Sequence, residues 1–230
     1  MGLSKSKGNM YKFVTHCSTH IEGRCAHDCK YCYVSGTAHA RPPKYDGLIR
    51  LNEAEFNTQY GEGKTIFVEH CNDIFGPGVK DAWVRRIMAH CCTWPNNTYV
   101  FQSKNPKFRR FRNFLPPQSL LGVTIETNRD MTGITKAPAP AERVMRMQAI
   151  AGMGHHAFVT IEPILRFDLD ELVQMVKSID PVFVNIGADS KNHGLEEPTI
   201  EEVEVLASRI AELGIEVKEK HNMERLRRDG

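Results

Sequence analysis

Residues 24–33 of the chain read RCAHDCKYCY and place three cysteines within eight positions, in the spacing Cys-x3-Cys-x2-Cys. Thiolates are soft ligands that suit zinc ions and iron–sulfur clusters. The chain has seven cysteines, and an odd number argues against a framework of disulfides. The spacing therefore predicts a metal site whose protein ligands are Cys25, Cys29 and Cys32.

The composition around this motif is that of an ordinary globular protein. The chain has 230 residues, of which 41% are hydrophobic and 25% charged, and its formal net charge is +2. These values predict a single domain over residues 1–230, with no strong field for a nucleic acid or a membrane surface. No apolar run approaches the roughly 18 residues of a membrane span, and residues 1–10 are polar rather than signal-like. A cytoplasmic location is expected, where thiols stay reduced.

Short apolar runs alternate with helical spacing along the chain. The runs predict buried parallel strands over residues 11–17, 65–71, 98–103, 120–126, 157–162 and 182–187, with a weaker strand over 215–218. Hydrophobic spacing of three and four predicts helices over residues 81–92, 141–153, 168–179 and 200–213. This alternation predicts an α/β fold, a partial (β/α)6 TIM-like barrel with a largely parallel sheet. Residues 35–63 lack a clear strand and are expected to hold a helix and a surface excursion.

Polar residues follow the predicted strand ends. In barrel-like folds the carboxyl ends of the strands form the active face, although strand ends always carry some polar turn residues. The residues in question are His16, Glu69, His70, Asn72, Asp73, Gln102, Ser103, Lys104, Asn105, Glu126, Thr127, Asn128, Glu162, Asn185, Asp189 and Ser190.

Two kinds of metal site fit the three cysteines. A structural zinc site needs a fourth ligand, which His27, Cys17 or His20 can supply. Three thiolates on a cubane cluster instead leave one iron open to a small chelating ligand, such as the amino and carboxylate groups of S-adenosylmethionine. With Tyr31 as the aromatic residue before the last cysteine, the motif resembles that of the radical S-adenosylmethionine superfamily.

The resemblance implies a 4Fe–4S cluster, a partial barrel of six βα units and reductive cleavage of S-adenosylmethionine to a 5′-deoxyadenosyl radical. It also implies a low-potential electron donor such as flavodoxin or ferredoxin. Further segments are similar to a small family of phages and bacteria that is distantly similar to spore photoproduct lyase. They are residues 67–75, 101–106, 123–129, 160–163 and 185–190.

The resemblance assigns the cofactor contacts by their place in the fold. Asn72 and Asp73 match the position that binds the amino group of the cofactor, and Tyr31 lies in the cluster loop. Ser103, Lys104 and Glu126 match the positions that hold its carboxylate and ribose. The Gly-Gly-Glu sequence usual after the second strand is absent, and residues 71–73 read CND instead.

The substrate contacts are expected from the polar residues that remain, His16, Glu162, Asn185 and Asp189. Carboxylates and amides suit the donor edge of a guanine-like ring. For Glu162 the alternative is an ion pair with a buried lysine or arginine. Residues 218–222, which include Lys220, are placed to close the open side of the barrel.

The expected reaction is bond cleavage on a small modified nucleobase. The resemblance is strongest to queuine lyase, which cleaves queuine to release 7-aminomethyl-7-deazaguanine for salvage. Cys71, after the second strand, is a candidate hydrogen-atom donor to the product radical, or alternatively a core thiol. Two other functions stay open: a nucleic-acid repair lyase that resembles spore photoproduct lyase, and a metal-binding module without catalysis. Nucleic acid is not the expected partner, because phosphate contacts usually come with clustered Lys and Arg.

Overall fold

The computed structural model describes residues 3–34 and 45–229. Within these residues, one sheet contains eight strands in the order β1-β2-β5-β6-β7-β8-β9-β10. Its strands are β1 (Ser4–Lys5), β2 (His16–Ser18), β5 (Thr65–Val68), β6 (Thr98–Ser103), β7 (Ser119–Thr124), β8 (His156–Ile161), β9 (Phe183–Ile186) and β10 (Glu216–Glu219). The pairing is parallel from β2 to β10, and only β1 is antiparallel to its neighbour.

Helices connect these strands and cover the outer face of the sheet. They are α1 (Asp81–Cys92), α2 (Phe108–Phe111), α3 (Pro140–Ala151), α4 (Leu169–Ile179), α5 (Ile200–Ala211) and α6 (Met223–Asp229). Short 3-10 helices lie at Glu53–Asn57 and Arg112–Phe114, and β3 (Ile21–Glu22) pairs with β4 (Arg50–Leu51) in a small antiparallel sheet. The predicted α/β partial barrel is confirmed. The expected helix within residues 35–63 is a 3-10 helix, and residues 35–44 lie outside the described part.

Along each strand of the sheet, successive side chains face two different environments. One side chain of each pair, such as Val184 or Ile186, packs into the large core between the sheet and the helices, whereas the next, such as Phe183, faces the barrel interior. Helix α5 begins with a capping box: the Thr199 hydroxyl accepts from the backbone N–H of Glu202, and the Glu202 carboxylate accepts from the backbone N–H of Thr199. The side-chain pattern of the strands and the residues that begin α5 thus agree with their positions in the fold.

The first predicted strand is wrong over most of its length. Only His16–Ser18 is a strand, and residues 11–14 instead enter the barrel interior. The Tyr11 ring stacks on Phe13 with ring centroids 5.3 Å apart and meets the edge of Phe158 at 5.9 Å. The run is apolar because it fills the barrel, and hydrophobic periodicity cannot separate a plug of this kind from a strand.

The barrel interior has an apolar layer and a polar layer. The apolar layer is completed by Tyr11 and by the absence of a side chain at Gly122, where a Cβ atom would lie 2.2 Å from the Phe158 ring. Its other members are Phe67, Val100, Phe158 and Phe183. Two residues further along each strand come the polar side chains of Gln102, Thr124, Thr160 and Asn185. The polar layer therefore lies toward the carboxyl ends of the strands, below the predicted active face.

Candidate active site

Asp73 fastens the cysteine loop to the carboxyl ends of the strands. One oxygen of its carboxylate accepts from Nε2 of His27 at 3.0 Å and from the backbone N–H of Lys104 at 2.8 Å. The other accepts from the hydroxyl of Ser103 at 2.7 Å and from the backbone N–H of Phe75 at 2.9 Å. Burial opposes ionisation of Asp73, but these donors and the His27 charge keep its pKa below the usual value. The loop is thereby held over β5 and β6.

The three cysteines of the loop are free thiols, each half-buried. Burial, followed by the charge of Asp73, raises the pKa of Cys25 to about 12. Burial also raises the pKa of Cys29, whose Sγ lies 3.1 Å from the Thr135 hydroxyl. In the metal-free chain Cys25 and Cys29 are therefore protonated thiols at neutral pH. Because metal ligands must be thiolates, assembly of a cluster here displaces protons.

The residues present fit a cluster with three protein ligands better than a zinc ion with four. Both ring nitrogens of His20 are used within the protein: Nδ1 donates to Glu69 at 2.8 Å, and Nε2 lies 3.0 Å from the Tyr60 hydroxyl. Nε2 of His27 donates to Asp73 while its Nδ1 is buried with no partner among the described residues, and Cys17 is buried in the barrel interior. Among the described residues, no three His, Cys, Asp or Glu side chains are grouped around one point as ligands of a single ion. A cubane cluster makes no such demand, since each thiolate binds a different iron.

Glu126 is a buried counter-ion rather than a free acceptor. Its carboxylate accepts from the Tyr31 hydroxyl, from Nζ of Lys104 at 2.9 Å and from Nη1 of Arg143 at 2.7 Å. Burial alone would raise the pKa of Glu126, but the charges of Lys104 and Arg143 lower it to about 2. Arg143 is fully buried on α3 and is a site residue that the sequence analysis missed. Nothing local in the sequence marks it, since its partner is 17 residues away.

Some of the expected cofactor residues make all their hydrogen bonds within the protein, whereas others keep an unused donor or acceptor. Ser103 donates to Asp73 and accepts from the backbone N–H of Asn105, and the oxygens of Asp73 are equally occupied. Asn72 donates to the carbonyls of Ile21 and Gly23, while its Oδ1 is buried with no partner among the described residues. Lys104 keeps ammonium hydrogens beyond the one given to Glu126. Asn72 and Lys104 thus keep hydrogen-bonding capacity for a ligand. Asp73 and Ser103 instead use theirs on other groups of the protein.

Glu162, directly after β8, forms an ion pair with a lysine, which is the second of the two roles that the sequence allows for it. Its carboxylate accepts from Nζ of Lys220 at 2.5 Å and from the side-chain amides of Asn9 at 2.7 Å and Asn222 at 2.8 Å. Nζ of Lys220 also lies 4.7 Å from the centroid of the Tyr11 ring. The segment after β10 therefore covers this side of the barrel, as expected for Lys220 and Asn222.

The other three expected substrate residues lie in different places. Asn185 is 3% exposed in the polar layer of the barrel, and its Nδ2 has no partner among the described residues. Asp189 is buried and binds within its own loop. His16 begins β2 instead of ending it, so it lies at the amino end of the sheet, where partial burial and the charges of Lys64 and Lys5 lower its pKa. The expectation that His16 faces the substrate is wrong.

Cys71 lies beside the cysteine loop. It packs with Val34 and Tyr45 in a small apolar cluster that Cys32 also touches. Burial, and next the nearby thiol of Cys71, raise the pKa of Cys17 to about 11. Cys71 is therefore a buried thiol that lies close to Cys17 and beside the third cysteine of the motif.

Comparison with known proteins relates the chain through its structure. No family model matches the sequence, and no curated protein matches it. Solved structures do match: a spore photoproduct lyase double mutant with bound AdoMet and dinucleoside spore photoproduct, at a TM-score of 0.57 and 15% identity, covers 91% of this chain. The chain has the fold of spore photoproduct lyase.

Two further spore photoproduct lyase structures match as well. A cysteine-to-serine mutant gives a TM-score of 0.59 at 16% identity, and a complex with dinucleoside spore photoproduct gives 0.57 at 16%; each covers 90% of this chain. The chain spans about 65% of the length of the first of these structures and 64% of the other two. Within the described residues, none of the helices combines the length and apolar character that a membrane crossing needs.

Proposed function

We propose that the chain is a radical S-adenosylmethionine enzyme in which Cys25, Cys29 and Cys32 hold a 4Fe–4S cluster. The observation that carries the proposal is the loop itself: three free, half-buried thiols fastened through His27 and Asp73 to the carboxyl ends of a parallel half-barrel. When bound, the cluster supplies the electron that cleaves S-adenosylmethionine to the 5′-deoxyadenosyl radical. Flavodoxin or ferredoxin is the proposed source of that electron.

The residues beside the thiols suit the cofactor. Lys104 is 20% exposed and can pair with the carboxylate of S-adenosylmethionine, since its contact with Glu126 uses one ammonium hydrogen. Oδ1 of Asn72 is a buried acceptor that suits the amino group of the cofactor. Tyr31, within the cysteine loop, donates its hydroxyl hydrogen to Glu126, and Nζ of Lys104 lies 5.0 Å from the centroid of the Tyr31 ring. These side chains would bind and orient the cofactor between the thiols and the polar layer.

We propose a small modified nucleobase as the substrate and queuine lyase as the activity, with release of 7-aminomethyl-7-deazaguanine. The polar layer of the barrel supports a small heterocycle, because the Nδ2 donor of buried Asn185 awaits an acceptor. The near-neutral charge of +2 also favours a small molecule over a duplex. Cys71, packed beside Cys32, is the proposed donor of a hydrogen atom to the product radical.

The test is anaerobic reconstitution with iron and sulfide, followed by dithionite, S-adenosylmethionine and queuine. We expect visible charge-transfer absorbance, 5′-deoxyadenosine and 7-aminomethyl-7-deazaguanine. A Cys29→Ala variant should lose all three signals, whereas Cys92→Ala, which changes an exposed cysteine on α1, should keep them. If Cys29→Ala still forms 5′-deoxyadenosine, the cluster assignment fails. If wild-type protein binds zinc and shows no absorbance, the chain is a metal-binding module instead.

A nucleic-acid repair lyase is the second candidate function, because the matching structures include spore photoproduct lyase bound to dinucleoside spore photoproduct. An enzyme of that kind acts on a base that it must extrude from the duplex. It should bind damaged DNA with an affinity that falls steeply as salt rises, since phosphate contacts release counterions. Salt-independent binding of free bases, without DNA binding, would favour the small-molecule substrate.

A further inference from the structure

The loop between β9 and α5 contains a histidine and a buried aspartate in direct contact. Nδ1 of His193 donates to Oδ1 of Asp189 at 2.7 Å, and the backbone N–H of His193 donates to Oδ2 at 2.6 Å. The backbone N–H of Lys191 also donates to Oδ1, at 3.2 Å. The Asp189 side chain is 2% exposed, whereas that of His193 is 24% exposed. The carboxylate is therefore committed inward, and the imidazole is the group that reaches the surface.

This loop lies on the active face, between the cysteine loop and the Glu162 cluster. Nζ of Lys191 donates to the carbonyl of Tyr33 at 3.1 Å. Leu195 packs against the cluster formed by Tyr31, Met131 and Leu165. On its other flank, the hydroxyl of Ser190 lies 2.9 Å from Nδ2 of Asn222, which also holds Glu162. His193 therefore sits in a segment that touches both sides of the proposed substrate site.

The contact with Asp189 fixes where the imidazole carries its proton. An ionised carboxylate can only accept, so Nδ1 carries the hydrogen, and Nε2 of the neutral ring is left as an acceptor. Of the side chains and backbone groups in the described residues, none hydrogen-bonds to Nε2 of His193. The structure thus presents an acceptor of fixed orientation on the active face.

We infer that Nε2 of His193 accepts a hydrogen bond from a ring N–H of the substrate, with Asp189 as its positioning residue. The inference rests on the proposed function and deepens it by naming the substrate edge. His193 supplies an acceptor at the active face. The ring N–H on the lactam edge of a 6-oxopurine or 7-deazapurine base is a donor that matches this acceptor.

A purely structural role for the pair is the competing explanation, since Asp189 also braces its loop. Its backbone N–H donates to Glu197 at 2.8 Å, and Nε of Arg225 donates to its carbonyl at 3.0 Å. Two substitutions of His193 separate the explanations. His193→Asn places an amide near the Nδ1 position and can keep the Asp189 contact. His193→Gln is longer and can present a carbonyl acceptor near the Nε2 position.

The experiment measures binding of queuine and of guanine to the reconstituted holoenzyme with S-adenosylmethionine, by calorimetry. We expect His193→Asn to weaken binding of the base about tenfold or more, and His193→Gln to restore it to within about threefold of wild type. Asp189→Asn should also weaken it, because an amide donor to Nδ1 moves the hydrogen to Nε2. The control His156→Asn, at the exposed amino end of β8, should leave binding unchanged. Melting temperatures of the two His193 variants should be equal.

Several outcomes would overturn the inference. Unchanged affinity in His193→Asn would do so, as would equal affinity of wild type for guanine and 1-methylguanine, which lacks the ring N–H. If wild type binds neither queuine nor guanine, the inference is also wrong. Formation of 5′-deoxyadenosine by the same wild-type preparation shows whether the radical function survives that failure. If no 5′-deoxyadenosine forms although the base still binds, the proposed reaction is refuted and the inference about His193 is unaffected.

Discussion

Replacing Glu126 by glutamine tests the electrostatic frame of the site. The substitution removes the negative charge that neutralises Arg143 while it keeps the size of the side chain. Glu126 and Arg143 are both 0% exposed, with Nη1 of Arg143 2.7 Å from the carboxylate. Breaking a buried pair on one side typically costs about 3–5 kcal/mol, because the remaining charge is left unpaired. We therefore expect Glu126→Gln to lower the free energy of unfolding at pH 7 by about 3 kcal/mol.

The pKa of Glu126 gives a second estimate of the loss in free energy of unfolding. Burial opposes its charge, and Lys104 and Arg143 overcome that penalty, so the pKa falls from 4.5 to about 2. A difference of that size corresponds to about 3 kcal/mol at neutral pH. Since the pKa of the folded state is the lower one, this stabilisation is present above about pH 4.5 and is lost as the pH falls toward 2. The deficit of Glu126→Gln should therefore shrink on acidification.

Urea unfolding of the metal-free protein, followed by circular dichroism under reducing conditions, measures the effect between pH 3 and pH 7. Glu204→Gln, at an exposed position of α5, is the matched control and should change the free energy of unfolding by less than about 0.5 kcal/mol. The double variant Glu126→Gln with Arg143→Met should lose less than the sum of the single losses. A loss under about 1 kcal/mol for Glu126→Gln, or a deficit that does not shrink in acid, would refute the reasoning.

Three further substitutions test the fold and the open side of the barrel. Gly122→Ala should lower the free energy of unfolding by about 1–3 kcal/mol, because the new Cβ atom would meet the Phe158 ring at 2.2 Å. Thr199→Ala removes the capping box of α5 and should cost about 1 kcal/mol, measured in the same urea assay. Lys220→Ala leaves the Glu162 carboxylate without its cation and should reduce turnover of queuine about tenfold in the reconstituted enzyme.

Each of these substitutions has a control with the same or a similar change of residue type elsewhere in the chain. Gly152→Ala, at the end of α3 with its nearest atom at 3.4 Å, should be nearly neutral. Ser208→Ala, exposed on α5, and Lys177→Ala, exposed on α4, should likewise have no effect on stability or turnover. A Gly122→Ala protein as stable as wild type would contradict the packing of the barrel interior. Unchanged turnover in Lys220→Ala would remove the segment after β10 from the substrate site.

The sequence allowed the regular part of the fold to be predicted because each long element is consistent with its layer. Helix α1 spans the predicted residues and buries one face, and strand β6 spans the predicted residues and is buried on both faces. The miss at residues 11–14 has a physical cause, since a segment that plugs a barrel is as apolar as a strand. The two-residue strands β1, β3 and β4, and the four-residue helix α2, are too short to carry a periodic signal.

The sequence allowed us to predict several of the residues that lie at the candidate site. It did not show which of them keep unused hydrogen-bond donors or acceptors. Asp73 and Ser103 lie where they were expected, yet their hydrogen-bonding capacity is spent on His27 and on backbone N–H groups. Arg143, which neutralises Glu126, faces the site from a helix whose pattern predicts only a buried stripe. Spacing along the chain gives the strand end at which a side chain lies, whereas its partners depend on elements far away in sequence.

Four carboxylates at the carboxyl ends of the strands accept hydrogen bonds from groups of the protein itself. Asp73, Glu126, Glu162 and Asp189 are each held by protein donors. Buried carboxylates without such donors would be costly, so the strand ends must supply cations and N–H groups of their own. The groups left to meet a ligand are then the partners that these carboxylates orient. On this reasoning we propose Lys104, positioned by Glu126, as the contact to the cofactor and His193, positioned by Asp189, as the contact to the substrate.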